Sequence, residues 1–281
     1  MAKKKILAMI SVLIVLLMIW TFWGNTALEL NKYEVVSENL PKAFDGFKIV
    51  QVSDLHNAEI GDNNEKLIAI IEEAEPDIIA ITGDMIDSRR TDINVALEFA
   101  KEAIKIAPCY YVNGNHELRV EEYEELKTGL KVLGVVVLEN DKKVISNSGE
   151  NLSIVGVSDP SFKANVLMTD EAEIIDAYLK KLTEEDENFK VLLSHRPELF
   201  EVYYENDIDL ALSGHAHGGQ IRLPLMGGII APHQGFFPEY DEGLYIKEET
   251  NLVVSRGVGN SLFPFRFNNR PEVVLIELQA R

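Results

Sequence analysis

The stretch KIVQVSDLH, residues 48–56, carries the pattern on which the fold depends. It is an apolar run of strand type that ends at Asp54, with His56 two residues further on. The same arrangement returns four times, in DIIAITGD (77–84), YYVNGNH (110–116), VLLSH (191–195) and LALSGHAH (210–217). In open α/β sheets, ligands bind beyond the carboxyl ends of the strands. The five runs therefore predict one rim of carboxylate, imidazole and carboxamide side chains.

The segments between these runs have apolar residues at helical spacing, as in Asn64–Glu75 and Ile93–Ile106. Val132–Leu138 has the pattern of a strand, and Asn147-Ser148-Gly149 that of a hairpin turn. Strands that alternate with helices and are then followed by hairpins predict an α/β sandwich, with either one mixed sheet or two packed sheets. We expect a single domain of about 240 residues after the N-terminal segment.

The N-terminal segment is strongly apolar. Three lysines, Lys3 to Lys5, precede eighteen uncharged residues, Ile6–Trp23. Eighteen helical residues rise about 27 Å, which is close to the hydrocarbon thickness of a bilayer. The lysines predict a cytoplasmic N-terminus, with the remaining chain on the outer face of the cell membrane. We expect an uncleaved anchor at 1–24, a juxtamembrane segment at 25–43 and the domain at 44–281. A signal peptide cleaved near Asn25-Thr26-Ala27 and a buried core helix are the alternatives.

The composition argues against one class of partner and two kinds of cysteine-based structure. The 281 residues include 46 Asp and Glu against 27 Lys and Arg, which gives a formal net charge of −19. Such a charge argues against a nucleic-acid partner, because phosphate backbones attract basic surfaces. Cys109 is the single cysteine, so an intrachain disulfide framework and a cysteine-based zinc site are both excluded.

The residues at the strand ends predict a metal centre. One His or Asp after a strand is usually a turn or capping residue, but five of the six histidines fall in this set and only His233 lies outside it. Carboxylate, imidazole and carboxamide ligands suit Mn²⁺, Fe or Zn²⁺. Seven such residues are too many for one open metal site. They are enough for two ions about 3.5–4 Å apart that share a carboxylate, the usual device for phosphoryl displacement.

The ordered blocks Asp54-Leu55-His56, Gly83-Asp84-Met85-Ile86-Asp87 and Gly114-Asn115-His116-Glu117, followed by His195 and Gly214-His215-Ala216-His217, resemble those of calcineurin-like metallophosphoesterases. The resemblance implies a four-layer α/β sandwich of two packed mixed β-sheets flanked by helices, here preceded by one transmembrane helix. It also implies the metal ligands. Asp54, His56 and His217 would bind the first ion, Asn115, His195 and His215 would bind the second, and Asp84 would bridge the two.

The resemblance also implies roles around the metals. His116 would stabilise the transition state or protonate the leaving oxygen, and Asp87 and Glu117 would orient His116 or a ligand. The reaction would be in-line attack on phosphorus by a metal-bridging hydroxide. Two divalent ions are expected as cofactors, Mn²⁺ first, with Fe, Zn²⁺ or Mg²⁺ as alternatives.

The extension His217-Gly218-Gly219-Gln220, together with the anchor, resembles a membrane-associated bacterial branch of this family. That branch includes phosphodiesterases and UDP-diacylglucosamine pyrophosphohydrolases. It implies a phosphodiester or pyrophosphate substrate that is a phosphorylated small molecule, a lipid or a cell-envelope component. Nucleic acid is not expected as a substrate because of the net charge. A phosphomonoesterase or nucleotide phosphodiesterase is the alternative among enzymes. A metal-stabilised, non-catalytic binding module at the membrane surface is the alternative from another class.

Four further features leave their roles open. Arg196 and Arg222 could each clamp a phosphate, or could be surface or helix-cap arginines. Gln220 could donate a hydrogen bond next to the metal ligands, or could be an ordinary strand residue. Phe236-Phe237-Pro238 and Leu262-Phe263-Pro264-Phe265 could form an acyl-binding or membrane-facing surface. Packing of these two clusters beneath long loops is the interpretation that we favour.

Overall fold

The computed structural model describes residues 2–161, 163–164, 168–260 and 265–281. Its α-helices are α1 (Ala2–Thr26), α2 (Glu65–Glu73), α3 (Ile93–Ala103), α4 (Tyr123–Leu133), α5 (Glu171–Thr183) and α6 (Phe200–Glu205). Its strands are β1 (Glu29–Ser37), β2 (Lys48–Val52), β3 (Ile78–Thr82), β4 (Cys109–Val112), β5 (Val136–Val137), β6 (Asp141–Asn147), β7 (Glu150–Gly156), β8 (Phe189–Leu193), β9 (Leu210–Ser213), β10 (Arg222–Leu223), β11 (Gly227–Gly228), β12 (Ile230–Ala231), β13 (Gly235–Phe236), β14 (Gly243–Lys247), β15 (Thr250–Val254) and β16 (Glu272–Ala280).

Two six-stranded mixed sheets form the centre of the molecule. The first has the order β1-β16-β2-β3-β4-β5, and the second has the order β14-β15-β9-β8-β7-β6. In the first sheet β2, β3, β4 and β5 run parallel, and β16 runs antiparallel to β2. In the second sheet β7, β8, β9 and β15 run parallel. Because parallel strands have their carboxyl ends at the same edge, the residues that follow several strands of each sheet lie on one side of it.

The sheets pack face to face and bury one apolar layer between them. Ile49 and Ile78 of the first sheet share this core with Val191 and Leu212 of the second. A second core lies between the first sheet and helices α2 to α4, and a third lies between the second sheet and helices α5 and α6. Each sheet is thus buried on both faces, which explains why its central strands are almost continuously apolar. The predicted four-layer α/β sandwich is confirmed.

The N-terminal helix is as long and apolar as the sequence predicts. The most apolar 18-residue window of α1 has a mean hydropathy of 2.6, and none of that window is buried against the rest of the described chain. A helix of this length and composition can cross a membrane. The end of α1 is fixed to the domain, because Asn25 exchanges hydrogen bonds of 2.9 and 2.6 Å with the backbone of Arg266.

Two local assignments differ from the sequence prediction. Residues Glu29–Ser37 form β1, although they fall in the predicted juxtamembrane segment 25–43. This strand lies at the edge of the sheet and pairs only with β16, so its alternation of buried and exposed residues is weak. Val132 and Leu133 belong to α4 rather than to a strand, since the helix continues to a left-handed cap at Gly134 with φ of 95°.

Candidate metal centre

Five strands deliver the candidate residues to one edge of the sandwich. The strands β2, β3 and β4 of the first sheet and β8 and β9 of the second end there, as the sequence predicts. The seven side chains proposed as ligands are all buried and are Asp54, His56, Asp84, Asn115, His195, His215 and His217. Six of them, all but Asn115, form two groups of three in which the ligand atoms lie within 4.8 Å of one another, and a third group of the same kind, His56, Asp84 and His116, links the two.

The first group consists of Asp54, His56 and His217. The His217 Nε2 atom lies 3.3 Å from Asp54 Oδ1, and the His56 Nε2 atom lies 3.7 Å from the same oxygen. The two Nε2 atoms face each other at 3.2 Å. Two imidazole nitrogens and a carboxylate oxygen that converge in a buried space are the donor set of a divalent ion. The side chains present therefore fit a metal.

The second group consists of Asp84, His195 and His215. Asn115 belongs to the loop whose next residue, His116, donates its backbone N–H to Asp84 Oδ1 at 2.9 Å. His195 Nδ1 lies 2.7 Å from the carbonyl oxygen of Thr82, which can only accept, so this nitrogen carries the proton. In a neutral His195 the Nε2 atom is then the acceptor, and it lies 3.2 Å from Asp84 Oδ2 and 3.2 Å from His215 Nδ1. Asn115 Oδ1 is buried and has no hydrogen-bond partner among the described residues. A buried carbonyl oxygen without a partner and two imidazoles beside a carboxylate also fit a cation.

Asp84 lies between the two groups. Its Oδ2 atom is 3.6 Å from His56 Nε2 and 3.2 Å from His195 Nε2. Asp54 Oδ1 also approaches an imidazole of each group, but its contact with the second group is longer, at 4.0 Å from His195 Nε2. The position of Asp84 is the one that a bridging ligand would need.

The backbone of the site is strained, and close packing maintains it. Five of the seven residues have positive φ, between 47° and 67°, namely Asp54, His56, Asp84, His215 and His217. Non-glycine residues with such angles concentrate at functional sites. Gly214 leaves the room that this packing needs, because a Cβ atom there would lie 2.2 Å from Asp54 Oδ2. At Gly83, which has a φ of 90°, a Cβ atom would lie 2.8 Å from His195 Nδ1.

The electrostatics of the site favour charged carboxylates. Burial acts to raise the pKa of Asp54, but His217 and His56 overcome it and hold the pKa below the ordinary value of 3.8. Burial likewise opposes ionisation of Asp84, whose pKa is lowered by His195 in the first place. Burial lowers the pKa of His217 to about 3. Burial acts in the same direction on His195 and His56, but Asp84 and Asp54 overcome it and raise the pKa of His195 to about 10 and that of His56 above its ordinary value. Metal binding requires neutral imidazoles, so a cation would have to displace protons from these two side chains.

His116 faces the site without belonging to either group of proposed ligands. Its Nε2 atom lies 4.0 Å from Asp84 Oδ2. Its Nδ1 atom accepts a hydrogen bond of 3.0 Å from the backbone N–H of Ser88, so a neutral His116 carries its proton on Nε2. Burial lowers the pKa of His116 to about 4. The side chain can therefore present an N–H donor to an oxygen that lies near Asp84.

Asp87 and Glu117 hold the loops of the site. Asp87 Oδ1 is 3.7 Å from His116 Nδ1, and the carboxylate accepts hydrogen bonds of 3.0 and 2.9 Å from the Arg89 guanidinium. The Glu117 carboxylate accepts from the backbone N–H groups of Asp84 at 3.0 Å, Met85 at 2.6 Å and Gly114 at 2.8 Å. Glu117 thereby joins the loop that carries Asp84 to the loop that carries Asn115.

The two arginines considered as phosphate clamps are engaged by carboxylates of the protein. Arg196 is completely buried, with Nη2 at 3.1 Å from Asp159 Oδ1 and Nη1 at 3.1 Å from Glu198 Oε1. Arg222 is bound by Asp241 at 2.7 Å and by Glu242 at 2.6 Å. These contacts give each arginine a structural partner and do not bring its guanidinium into either ligand group.

Gln220 donates from Nε2 to the carbonyl oxygen of Phe265 at 2.9 Å. It therefore joins the loop that follows His217 to the segment next to α1. This contact gives Gln220 a place in the scaffold rather than in either ligand group.

Two further residues lie near the proposed ligands: His233, for which the sequence predicted no role, and Arg266, which was only a weaker candidate for a phosphate clamp. His233 Nδ1 lies 2.9 Å from His215 Nε2, the ring nitrogen of His215 that points away from His195. Arg266 is completely buried, and its electrostatic surroundings include Asp54. His233 lies in the turn between β12 and β13, and Arg266 follows no strand, so neither residue shows the strand-end pattern on which the prediction relied.

The chain is similar in sequence to a known protein family and to several proteins of that family. The model of the family described as calcineurin-like phosphoesterase matches residues 47–219. The uncharacterized metallophosphoesterase YkuE of Bacillus subtilis (strain 168) is 32% identical over 260 residues, covering 90% of this chain and 86% of that protein. Phosphodiesterase YaeI of Escherichia coli (strain K12) is 31% identical over 237 residues, covering 83% and 82%. A transmembrane protein with metallophosphoesterase domain from Bos taurus is 30% identical over 260 residues, covering 88% of this chain but 56% of that protein.

Proposed function

The chain belongs to the calcineurin-like phosphoesterase family, and on this premise we propose that it hydrolyses a phosphodiester or pyrophosphate bond with two divalent metal ions. As a member it is a metal-dependent phosphoester hydrolase with a phosphorylated substrate. The observation that carries the two-metal proposal is the position of Asp84 Oδ2, within 3.6 Å of His56 and within 3.2 Å of His195.

The residues of the site would have separate roles in metal binding, hydrogen bonding and positioning. Asp54, His56 and His217 would hold one ion, Asn115, His195 and His215 the other, and Asp84 both. When bound, the two cations would supply Lewis acidity, which activates a water molecule and neutralises charge on the phosphate oxygens. His116 would donate its Nε2 proton in a hydrogen bond to a phosphate or leaving-group oxygen. Glu117 would keep the loops of Asp84 and Asn115 in register.

The proposal of Mn²⁺ rests on the donor set. Oxygen donors from Asp54, Asp84 and Asn115 are mixed with imidazole nitrogens, and no described thiolate lies in either group. Such a set suits Mn²⁺ first, with Fe, Zn²⁺ or Mg²⁺ as further candidates. The total of seven donors leaves room for substrate oxygens on both ions.

The proposed substrate is a phosphorylated lipid or cell-envelope component. The helix α1 would anchor the protein as a single-pass membrane protein, with Lys3 to Lys5 on the cytoplasmic side and the catalytic domain on the outer face. An enzyme fixed to the bilayer meets lipid substrates at high local concentration. The anchoring is supported by the length and hydropathy of α1, and by a relative that is named as a transmembrane protein.

The test uses the full-length protein in detergent or nanodiscs. With Mn²⁺ it should cleave bis(p-nitrophenyl) phosphate, and Asp84→Asn should lose both metal content and activity. Asp207→Asn, an exposed aspartate outside the site, is the matched control and should retain both. His116→Ala should keep the metals but lose about a hundredfold or more in kcat.

The other outcomes separate the alternatives. Faster cleavage of p-nitrophenyl phosphate than of the diester would indicate a phosphomonoesterase. Stoichiometric metal without hydrolysis of either compound, with any of the four metals, would indicate a binding module. Retention of both ions by Asp84→Asn would contradict the bridging role. A reporter fused to the C-terminus tests the topology, since a cytoplasmic signal would exclude an external domain.

A further inference from the structure

A narrow ribbon of chain connects the metal centre to the N-terminal helix. We call residues 220–237 together with 265–267 the ribbon. Arg222 N–H donates to the carbonyl oxygen of Phe267 at 3.0 Å, and Ile229 N–H donates to that of Ile221 at 2.9 Å. Phe237 N–H then donates to the carbonyl oxygen of Ile229 at 2.9 Å. These bonds join the segment at 265–267 to the two hairpins β10–β11 and β12–β13 in a continuous meander.

The ribbon exposes large apolar side chains. Leu225 is fully exposed, and Phe236 is exposed to 72%. The other exposed apolar side chains in the ribbon are Leu223, Met226, Phe237 and Phe265. Five such side chains within 220–237, and a sixth on the paired segment 265–267, differ from the scattered single apolar residues that any protein surface shows. A concentration of this kind indicates a surface that contacts something apolar.

The ribbon lies beside the apolar part of α1. Arg266, within the ribbon, exchanges backbone hydrogen bonds with the side chain of Asn25 at 2.6 and 2.9 Å. Phe265 lines one groove together with Leu17, Met18 and Phe22 of α1. Phe265 is therefore at the same height along the axis of α1 as these helix residues. If α1 crosses a bilayer, Phe265 reaches the membrane.

The topology places the metal centre on this same side. β16 runs antiparallel to β2, so the start of β16 lies at the edge where β2 ends before Asp54. β1 runs parallel to β16 from Glu29 paired with Glu272, so β1 also starts at that edge. The chain thus passes from α1 into the domain at the edge that carries the metal centre. The ribbon begins three residues after His217, and its His233 contacts His215.

We propose that the apolar side chains of the ribbon insert into the outer leaflet of the bilayer that α1 crosses, and so hold the metal centre against the lipid head groups. The proposal rests on the membrane anchoring described under Proposed function, and it names the bilayer as the partner of the site. It accounts for the exposure of Leu225 and Phe236 near a catalytic centre. It restricts the substrate to a phosphate that is presented at the membrane surface.

The charge of the protein favours a lipid contact of this apolar kind. Peripheral domains often bind anionic membranes through clusters of Lys and Arg. This chain has a formal net charge of −19, and Arg222, the basic residue of the hairpins, is neutralised by Asp241 and Glu242. Insertion of Leu and Phe side chains does not require such a basic cluster, and it can bring this face of the anchored domain against the bilayer.

The test places a fluorophore on the ribbon of the full-length chain in phosphatidylcholine nanodiscs. Leu225→Cys and Phe236→Cys are each made in a Cys109→Ser background and labelled with the environment-sensitive dye NBD. Met18→Cys in α1 is the membrane reference. Val132→Cys is the aqueous control, because Val132 is 82% exposed on α4, which packs at the β5 edge of the first sheet, opposite β1.

The ribbon probes should show blue-shifted emission, and lipids with a doxyl group near the head group should quench them. Interfacial apolar side chains lie about 5–10 Å into the boundary region, so we expect roughly a twofold loss of intensity for Leu225 and Phe236. The probe at Val132 should not change. Circular dichroism and metal content would show that each labelled variant is folded.

Each contrary result has a distinct meaning. Quenching at Met18 but not at Leu225 or Phe236 would overturn the proposal while leaving the membrane anchor intact. Failure of quenching at Met18 as well would overturn the anchoring on which the proposal rests. A blue shift at the ribbon that lipid quenchers do not affect would identify a protein partner in place of the bilayer, and would also overturn the proposal. Hydrolysis of bis(p-nitrophenyl) phosphate, measured on the same samples, reports on the catalytic function separately.

Discussion

Replacement of Arg196 by methionine distinguishes a structural arginine from a phosphate clamp. Arg196 is completely buried and pairs with Asp159, which is 4% exposed, and with Glu198. Removing one partner of a buried ion pair costs about 3–5 kcal/mol, because the other charge is left uncompensated. For a domain of this size, each kcal/mol lowers the melting temperature by about 2–4 °C. We therefore expect the melting temperature of Arg196→Met to fall by about 6–20 °C.

The size of this loss should depend on pH. Burial acts to raise the pKa of Asp159, but Arg196 outweighs it and lowers the pKa below the ordinary value of 3.8. A carboxyl whose pKa is lowered by folding contributes stability above its unfolded pKa, and loses that contribution as pH falls through the folded pKa. The difference in melting temperature between wild type and Arg196→Met should therefore become smaller when the pH is below the ordinary pKa of Asp159.

The assay is thermal unfolding of the chelated, full-length protein in detergent, followed by circular dichroism at neutral pH and at about pH 3. The double variant Asp159→Leu with Arg196→Met is the control, and it should be more stable than Arg196→Met because it leaves no unpaired carboxylate at Asp159. KM for bis(p-nitrophenyl) phosphate is measured alongside. An unchanged melting temperature together with a large rise in KM would refute the structural role and establish a phosphate clamp.

Three further predictions concern other parts of the scaffold. Glu117→Ala leaves the N–H groups of Asp84, Met85 and Gly114 without their acceptor, and each unmet buried group costs about 1–3 kcal/mol, so urea unfolding should show a loss of at least about 3 kcal/mol. Gly214→Ala brings a Cβ atom within 2.2 Å of Asp54 Oδ2 and should lower the metal content measured by emission spectroscopy, whereas Gly24→Ala, with nothing within 4 Å, should not. Burial raises the pKa of Cys109 to about 12, so its thiol should resist maleimide at neutral pH in the folded protein and react only in denaturant; rapid labelling of the native protein would contradict the buried position.

The sequence predicted the central architecture because its signals there are local. Strands such as Lys48–Val52 and Ile78–Thr82 are buried on both faces, so each is mostly apolar and stands out from its neighbours. Each ends two residues before an aspartate, Asp54 or Asp84, and the carboxyl ends of parallel strands meet at one edge. The metal-competent residue types and their convergence could therefore be predicted without coordinates.

The weaker elements could not be found in this way. β1 has only one neighbouring strand, β16, which lies more than 240 positions away in sequence, and its exposed face carries polar residues. The strands β10 to β13 have two residues each, too few to show a period of two. Such segments become strands through hydrogen bonds to distant partners, and these bonds leave no mark in the local sequence.

The sequence by itself thus determined the fold class, the apolar N-terminal helix and the set of side chains available to bind metal. Only the tertiary structure decided which partners the side chains around this set contact. It showed that Arg196 is occupied by Asp159 and Glu198, that His233 touches His215, and that the segment at 265–267 joins the end of α1 to the loop after His217. The physical reason is that residue type fixes which bonds a side chain can form, while the fold fixes which partners come within about 3 Å of it.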